Sequence, residues 1–210
     1  MGGTPFGIIL AGGRARRLGG GDKPLRRLGD RPILAHVVAR IAPQVDRLAL
    51  NANGDPARFA AWPLPVLPDT PPEGSGSLAG PLAGPLAGLL AGMRWAASFG
   101  CETVVSVPGD TPFLPHDLVA RLLAACGSAR AAVAGSGDRL HPVIGCWSVG
   151  LAEDLQSQLA LGRSRATDWA ARTGAAVAAF AATPRDPFFN INSPEDLAAA
   201  EALLAGGCDR

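Results

Sequence analysis

The fold of this 210-residue chain is decided by residues 6–25, which read FGIILAGGRARRLGGGDKPL. Phe6–Leu10 is an uninterrupted apolar run, which predicts a strand buried within a sheet. Residues 12–23, which come shortly after this strand, contain five glycines and four basic side chains. Backbone N–H groups of a glycine-rich loop approach phosphates closely, and basic side chains add positive charge. The stretch therefore predicts a strand followed by a loop that binds a polyphosphate.

Two familiar nucleotide-binding motifs do not fit this loop. The P-loop pattern GxxxxGK[ST] fails because Asp22 precedes Lys23 and Pro24 follows it. The pattern GxGxxG fails because Gly12 and Gly13 are adjacent and no helix is predicted to begin there. A P-loop NTPase is therefore excluded and a dinucleotide-dependent oxidoreductase is disfavoured. A flexible surface loop without a ligand remains the alternative.

The rest of the chain alternates short apolar runs with longer helical patterns. Further strands are predicted at Arg47–Asn51, Pro65–Leu67, Thr103–Val107, Ala131–Ala134, Val143–Ser148 and Ala176–Phe180. Helices are predicted at Pro32–Ile41, Leu86–Phe99, Pro115–Cys126, Leu151–Leu161 and Ser164–Thr173, and a last one after the N-cap Ser193. This alternation predicts an α/β fold, in a single Rossmann-like three-layer domain over residues 1–210 with a mostly parallel central sheet. Ligands of such sheets bind at the carboxyl ends of the strands.

The composition disfavours several other classes of protein. Hydrophobic residues make up 48% of the chain and charged residues 18%, which is enough apolar material for a core and argues against disorder. The formal net charge is +1, so we expect neither a nucleic-acid partner nor a membrane partner. No two cysteines have CxxC spacing, which predicts free thiols, no zinc site and a cytoplasmic location. The four cysteines are Cys101, Cys126, Cys146 and Cys208.

Two rare residue types mark candidate sites. Lys23 is the single lysine among 19 basic residues, which predicts a position that needs a compact ammonium rather than a guanidinium. The four asparagines form two N-x-N pairs, at 51 and 53 and at 190 and 192. Asn51 is predicted to end the second strand, and Asn190 and Asn192 to end the last one. Amides suit the recognition of a base edge, a ribose or a pterin ring, with Asx turns as the alternative.

A second candidate site is the motif PGDTPFLP at residues 108–115, directly after a predicted strand. Asp110 there suits a Mg²⁺ ligand, because this hard cation prefers carboxylate oxygen and keeps substrate phosphates in its coordination shell. The alternative is a turn-forming aspartate. Asp69, just after a short strand, is open between the two roles given for the asparagines, a ligand contact or an Asx turn. His141, beside Pro142 and after a predicted polar turn at residues 135–139, is either a turn residue or a substrate contact.

One segment is repetitive, because residues 78–92 read LAGPLAGPLAGLLAG. We interpret it as an expanded loop whose extra copies carry no chemistry. The last copy runs directly into a predicted helix, and Pro85 suits that helix's first turn. The copy that begins at Gly84 is therefore predicted to be the functional one.

Together these motifs resemble the nucleotidyltransferase group that includes the molybdenum cofactor guanylyltransferases. The segment LAGGRARRLGGGDKPL at residues 10–25 resembles the first motif of that family, with Leu18 where methionine is more usual. The double arginine at 16–17 and the extra glycine before Asp22 favour it over the related cytidylyltransferase. The other matching motifs, in chain order, are NAN at 51–53, GPLAG, PGDTPFLP at 108–115, HP at 141–142 and FFNINSPEDL at 188–197.

The resemblance implies a fold of the nucleotide-diphospho-sugar transferase type and the transfer of GMP from GTP to molybdenum-molybdopterin, with release of pyrophosphate. It implies a nucleotide- and metal-binding half at residues 6–114 and an acceptor-binding half at residues 115–205. Lys23, Asp110 and Arg17 are the expected catalytic residues, and Asp110 also binds Mg²⁺. Asn190 and Asn192 are expected near the metal or the acceptor, with acceptor binding as their assigned role. The expected nucleotide contacts are Leu10, Ala11, Gly12, Lys23, Asn51, Asp69 and Asp110.

The expected partners are GTP and molybdenum-molybdopterin, with transient contact to molybdenum-insertion proteins or molybdoenzyme chaperones, and we expect a monomer. Two alternatives stay within the enzymes: a cytidylyltransferase for the molybdenum cofactor and a sugar-phosphate nucleotidyltransferase. A third is a nucleotide-binding regulatory protein without turnover. Asp110 and Lys23 argue against the third, because a protein that only binds a nucleotide needs no metal at the α-phosphate.

Overall fold

The computed structural model of the chain describes residues 3–12, 20–69, 84–183 and 185–206. Its strands are β1 (Phe6–Leu10), β2 (Arg27–Leu28), β3 (Arg31–Pro32), β4 (Leu48–Asn51), β5 (Val66–Leu67), β6 (Thr103–Pro108), β7 (Ala131–Ser136), β8 (Arg139–Ser148) and β9 (Ala176–Phe180). Its α-helices are α1 (Ile33–Ile41), α2 (Gly84–Ser98), α3 (Leu118–Cys126), α4 (Ala152–Ala160), α5 (Ala166–Arg172) and α6 (Pro194–Ala205). The alternation predicted from the sequence is confirmed.

The central sheet has seven strands in the order β5-β4-β1-β6-β8-β7-β9. Four of the neighbouring pairs are parallel, and β8 alone runs antiparallel to its two neighbours, β6 and β7. The prediction of a mostly parallel sheet is thus confirmed. Because β8 is reversed between β6 and β7, the carboxyl ends of β1, β4, β6 and β7 share one edge of the sheet with the start of β8.

Helices cover both faces of this sheet, as predicted for three layers. Successive residues of a strand point to opposite faces, and β1 shows it. Ile9 belongs to one buried cluster with Leu34 of α1 and Leu122 of α3. Ile8 belongs to the other cluster, with Leu90 of α2 and Trp169 of α5. None of the described helices is both long and apolar enough to cross a membrane.

The hairpin of β7 and β8 differs from the prediction. The polar turn expected over residues 135–139 is reduced to the two residues between the strands, where Gly137 has a φ of 54°. His141 and Pro142 lie inside β8 rather than in a turn. The register shifts there, because Val133 pairs with Gly145 whereas Ala134 pairs with His141. Proline is tolerated at such an irregularity because it cannot donate to a regular ladder.

The segment before α6 also differs from the prediction. Asn190 and Asn192 do not end a strand, because residues 187–192 form an irregular connection between β9 and α6. The main-chain N–H of Ile191 donates to the carbonyl oxygen of Asp110 at 3.0 Å, so the connection is tied to the loop after β6. The N-cap of α6 is confirmed, since the Ser193 hydroxyl accepts from the N–H of Asp196 within a capping box.

Candidate active site

Three side chains from distant parts of the chain meet at the carboxyl edge of the sheet. The Lys23 Nζ donates to Asp110 Oδ2 at 2.7 Å and to Asn192 Oδ1 at 2.7 Å. The side chains of Lys23 and Asp110 are only 13% and 14% exposed. The structure therefore brings together Lys23 from the predicted phosphate-binding loop, Asp110 from the PGDTPFLP motif and Asn192 from the second asparagine pair, although Asn192 reaches the edge from an irregular connection and not from a strand end.

The approach to Lys23 depends on glycine. Gly20 and Gly21 have φ angles of 87° and 77°, in the left-handed region that side chains other than glycine rarely adopt. A single 3-10 turn, Lys23–Leu25, follows Asp22, with Pro24 buried inside it. The loop thus turns sharply and delivers the ammonium to the edge of the sheet. Residues 13–19, including the predicted catalytic Arg17, lie outside the described part of the chain.

The backbone around Asp110 is fixed on three sides. The Gly109 N–H donates to the Leu10 carbonyl at 3.0 Å, and the Asp110 carbonyl accepts from Ile191. A Cβ atom on Gly109 would lie 3.1 Å from Pro24 Cγ and 3.3 Å from Ala11 Cα. A side chain at residue 109 would crowd both neighbours, so glycine suits the close packing that follows β6 and places the Asp110 carboxylate beside Lys23.

The carboxyl group of Asp110 is electrostatically unusual. Burial raises its pKa above the ordinary value, and the charge and hydrogen bond of Lys23 oppose that rise without cancelling it. Its second oxygen, Oδ1, is buried and has no hydrogen-bond partner within the described chain. An unsatisfied buried carboxylate oxygen is destabilising. A cation bound at Oδ1 would satisfy it.

The oxygen atoms at this site suit a hard cation that also binds water or substrate phosphates. Asp110 offers carboxylate oxygen, and the neighbouring Asn192 offers amide oxygen. Residues 3–12, 20–69, 84–183 and 185–206 contain no group of three or more His, Cys, Asp or Glu side chains able to hold a metal. Mg²⁺ fits such a site because it usually takes one or two carboxylates and completes its shell with phosphates and water.

Next to this centre, Asn51 and Asp69 form one hydrogen-bonded unit. Asn51 Nδ2 donates to Asp69 Oδ1 at 2.9 Å and to the Leu67 carbonyl at 3.1 Å. Asn53 holds Asp69 from the other side, because its Nδ2 donates to Asp69 Oδ2 at 2.7 Å and its Oδ1 accepts the Asp69 N–H at 2.8 Å. The polar ends of β4 and β5 are therefore preorganised.

The predicted main-chain contacts lie beside this unit. The Leu10 carbonyl is already used by Gly109, and the Ala11 N–H donates to the Asn51 carbonyl at 2.8 Å. Gly12 follows them and is exposed. These bonds align the end of β1 between the Asn51 unit and Asp110.

Gly88 ends the GPLAG copy that begins at Gly84 but was not predicted as a site residue, although it has the tightest surroundings of the described glycines. A Cβ atom at residue 88 would lie 2.0 Å from Asn51 Oδ1 and 2.8 Å from Leu10 Cδ2. The first turns of α2 can therefore pass over the end of β4 only because residue 88 has no side chain. The helix begins at Gly84, two residues before the predicted Leu86, and the upstream copies lie outside the described residues.

Arg58 is a second residue that the sequence did not reveal. Its Nε pairs with Asp22 Oδ2 at 2.8 Å, and its Nη2 donates to the Asn53 carbonyl at 2.5 Å. Arg58 therefore joins the residue before Lys23 to the Asn51–Asp69 unit. No motif marked it, because it lies in a short 3-10 segment, Pro56–Phe59, without periodic pattern.

A basic cavity of about 310 Å³ opens in the carboxyl-terminal half. The indole Nε1 of Trp169 is buried there without a hydrogen-bond partner among the described residues. A Cβ atom on Gly84 would lie 3.7 Å from the Ser164 carbonyl, so the cavity adjoins the start of α2. Its lining residues are Gln158, Gly162, Arg163, Ser164, Arg165, Asp168, Trp169 and Arg172.

Comparison with known proteins identifies the family of the chain. The family model of the MobA-like NTP transferase domain matches residues 7–177. The chain is 51% identical over 201 residues to the molybdenum cofactor guanylyltransferase of Cereibacter sphaeroides, covering 95% of this chain and 96% of that protein. It is 52% identical over 204 residues to the protein of the same name from Bradyrhizobium sp. (strain ORS 278), with 95% and 92% coverage.

Solved structures show the same fold at low identity. The molybdopterin-guanine dinucleotide biosynthesis protein A of Archaeoglobus fulgidus superposes with a TM-score of 0.73 at 19% identity, covering 96% of this chain and 99% of that one. A nucleotidyl transferase of Methanothermobacter thermautotroptrophicus gives 0.71 at 19% identity, with 98% and 100% coverage. With about half of all residues identical over nearly the full length of the curated relatives, the chain belongs to the molybdenum cofactor guanylyltransferases of the MobA-like NTP transferase family.

Proposed function

We propose that this protein transfers GMP from GTP to the terminal phosphate of molybdenum-molybdopterin and forms the molybdopterin guanine dinucleotide cofactor. The observation that carries the proposal is the cluster of Lys23, Asp110 and Asn192 at the carboxyl edge of the sheet. The relatives that are about half identical to this chain are molybdenum cofactor guanylyltransferases.

The reaction needs no covalent intermediate with the protein. An oxygen of the acceptor phosphate attacks the α-phosphorus of GTP, and the bond from that phosphorus to the α,β-bridging oxygen breaks. The electron pair of the broken bond leaves with pyrophosphate. Catalysis of such a displacement consists of alignment and of charge neutralisation on the phosphates.

Lys23 and Arg17 are assigned to charge neutralisation on the phosphates of GTP. The Lys23 ammonium lies between Asp110 and Asn192, so its position is set by two oxygens before a substrate binds. A group held in place in advance stabilises developing charge without reorganisation during the reaction.

Mg²⁺ is the metal that we assign to Asp110, through the buried oxygen Oδ1 that has no partner in the described chain. When bound, Mg²⁺ supplies positive charge to the transferred phosphate and to the leaving pyrophosphate. Asn190, which is exposed, and Asn192 are assigned to the acceptor side of the same centre.

The nucleoside is assigned to the other side of Lys23. Leu10, Ala11 and Gly12 offer main-chain groups, and Asn51 and Asp69 offer the preorganised polar unit. We assign residues 6–114 to nucleotide and metal binding and residues 115–205 to the acceptor. The arginine-lined cavity supports the second assignment, because it lies in that half and suits an anionic acceptor.

A panel of nucleotides tests the proposed function. Pyrophosphate release is measured with GTP, CTP, ATP and UTP, each with and without molybdenum-molybdopterin and in the presence of Mg²⁺. We expect release with GTP plus acceptor and little in the other combinations. Preference for CTP would assign the protein to cytidylyl transfer, and binding without release under every condition would assign it to the regulatory class.

Within the same proposal, the protein acts as a cytoplasmic monomer that passes its product to molybdenum-insertion proteins or molybdoenzyme chaperones.

A further inference from the structure

A second polar cluster lies at the same edge of the sheet and is not used above. Ser136 ends β7, and His141 lies near the start of β8 across the hairpin. The Ser136 Oγ is 2.7 Å from His141 Nε2 and 3.0 Å from Asp186 Oδ1. Ser136 is only 2% exposed, so its hydroxyl is shielded from water, whereas His141 and Asp186 are partly buried.

The direction of these hydrogen bonds follows from their chemistry. An ionised carboxylate only accepts, so the Ser136 hydroxyl donates its one proton to Asp186. The Ser136 oxygen must then accept a proton from His141, which requires the proton of the ring to be on Nε2. Burial lowers the pKa of His141, more than Asp186 raises it, and the charge of Arg139 lowers it further. The ring is therefore neutral near pH 7, with a defined tautomer.

Asp186 also fixes the chain that follows it. Its Oδ1 accepts the main-chain N–H of Phe188 at 2.9 Å, which closes an Asx turn. The His141 ring packs against the Phe188 ring with a centroid distance of 4.7 Å. Ser136 and His141 thus hold residues 186–188 both through the carboxylate and through the aromatic ring.

The same segment reaches the active-site cluster within four residues. After Phe188, the Ile191 N–H donates to the Asp110 carbonyl at 3.0 Å. Asn192 Oδ1 then accepts from Lys23 Nζ at 2.7 Å. Residues 188–192 are therefore held at both ends, by the hairpin of β7 and β8 at one end and by Asp110 and Lys23 at the other.

We propose that Ser136, His141 and Asp186 are positioning residues that fix the segment 186–192, so that Asn192 holds the Lys23 ammonium beside Asp110. The expected effect of these residues on turnover rests on the proposed function. Their expected effect on the order of segment 186–192 does not depend on any substrate. His141 acts through Asn192 and does not need to touch GTP.

A double-mutant cycle tests the connection. His141→Phe keeps an aromatic ring against Phe188 and removes the Nε2 donor, whereas His141→Gln keeps an amide donor. We expect His141→Phe to lower kcat by about tenfold in the wild-type background and by less than about twofold in an Asn192→Ala background, since residues that act through one another are not additive. His141→Gln should recover part of kcat. Equal fold losses in both backgrounds would overturn the proposal.

Amide hydrogen exchange provides a measurement without substrate. We expect Ser136→Ala and His141→Phe to speed the exchange of the Ile191 amide by about tenfold or more, while amides in the β1–β6 ladder keep their rates. The matched control is His116→Phe, at an exposed histidine bonded to Arg40 in the last turn of α1. Unchanged exchange at Ile191 would overturn the positioning role. If the wild-type chain transferred no GMP, the proposed function would fail, and the exchange rates would still decide this inference.

Discussion

Gly88 and Asn51 lie so close that a methyl group at residue 88 would be 2.0 Å from the Asn51 side-chain oxygen. No side chain can share that space, so Asn51 or the helix α2 has to move when residue 88 is enlarged. The contact joins the repetitive segment to the candidate nucleotide site, since Asn51 also donates to Asp69 at 2.9 Å.

Gly88→Ala is therefore expected to weaken GTP binding. The added methyl displaces the Asn51 amide and breaks its bond to Asp69, and it also adds overpacking strain of about 1–3 kcal/mol. Isothermal titration with GTP measures the first effect and denaturant unfolding the second. Gly92→Ala is the matched control, because its Cβ would press on Ile8 at 3.0 Å and not on the site. Equal GTP affinity in the two variants would contradict the role of Gly88.

Arg58→Ala is expected to lower kcat/KM for GTP. The change removes the ion pair with Asp22 and the bond to the Asn53 carbonyl, so the Lys23 loop is no longer tied to the nucleotide side. Arg58→Lys should recover little, because a single ammonium cannot reproduce the fork of a guanidinium. Arg130→Ala, which removes a bond to the Gly150 carbonyl at the opposite edge of the sheet, is the control. A loss of the same size in the control would show that the effect is general destabilisation.

Lys23→Arg tests whether positive charge alone is sufficient. Lys23 is 13% exposed and has oxygens at 2.7 Å on two sides, which leaves no room for a wider planar group. Lys23→Ala should raise KM for GTP and lower kcat, and Lys23→Arg should recover more of KM than of kcat. Steady-state kinetics gives both constants, and circular dichroism checks the fold. Wild-type kcat in the Arg variant would contradict the geometric argument.

The raised pKa of Asp110 predicts how stability depends on pH. Between the ordinary value of 3.8 and the raised folded value, the folded chain binds this proton more strongly than the unfolded chain does. The contribution of Asp110 to the free energy of unfolding is therefore present below pH 3.8 and is lost as pH rises through the folded pKa. Asp110→Asn should be at least as stable as wild type at pH 7, with the difference shrinking toward acid pH.

Urea unfolding at a series of pH values measures this prediction in the absence of metal. Asp154→Asn is the control, because that carboxylate is exposed and pairs with Arg172 at 3.2 Å, where an ion pair contributes little. If Asp110→Asn were clearly less stable than wild type at pH 7, the ion pair with Lys23 would outweigh the burial of the carboxylate, and our reading of this site would be wrong.

The parts of the site that the sequence predicted are those set by strand ends. Asn51 ends a buried parallel strand, and Lys23 and Asp110 lie in the loops after two others. Because parallel strands end at one edge of the sheet, the topology places all three residues at that edge. The fold class followed from the same alternation of strands and helices. Local sequence patterns are therefore sufficient to predict the fold class and the residues that lie at strand ends.

The parts that the sequence did not predict depend on tertiary contacts. Pro142 favours a turn on local grounds, yet an irregular register in β8 accommodates it. The apolar residues Phe188 and Phe189 before Asn190 look like a strand, but their main-chain N–H groups donate to Asp186 rather than to a neighbouring strand. The roles of Gly88 and Arg58 come from their distances to Asn51 and Asp22, which no local pattern contains.

The most direct test compares pyrophosphate release by wild type and Asp110→Asn, with GTP, molybdenum-molybdopterin and saturating Mg²⁺. Loss of one preorganised electrostatic element at the reacting phosphate costs about 2–4 kcal/mol, so we predict that the variant retains less than about a tenth of the wild-type rate while keeping its fold. Chelation of the metal should abolish wild-type release in the same assay. Retention of most of the wild-type rate by Asp110→Asn would contradict the assignment of this edge of the sheet as the active site.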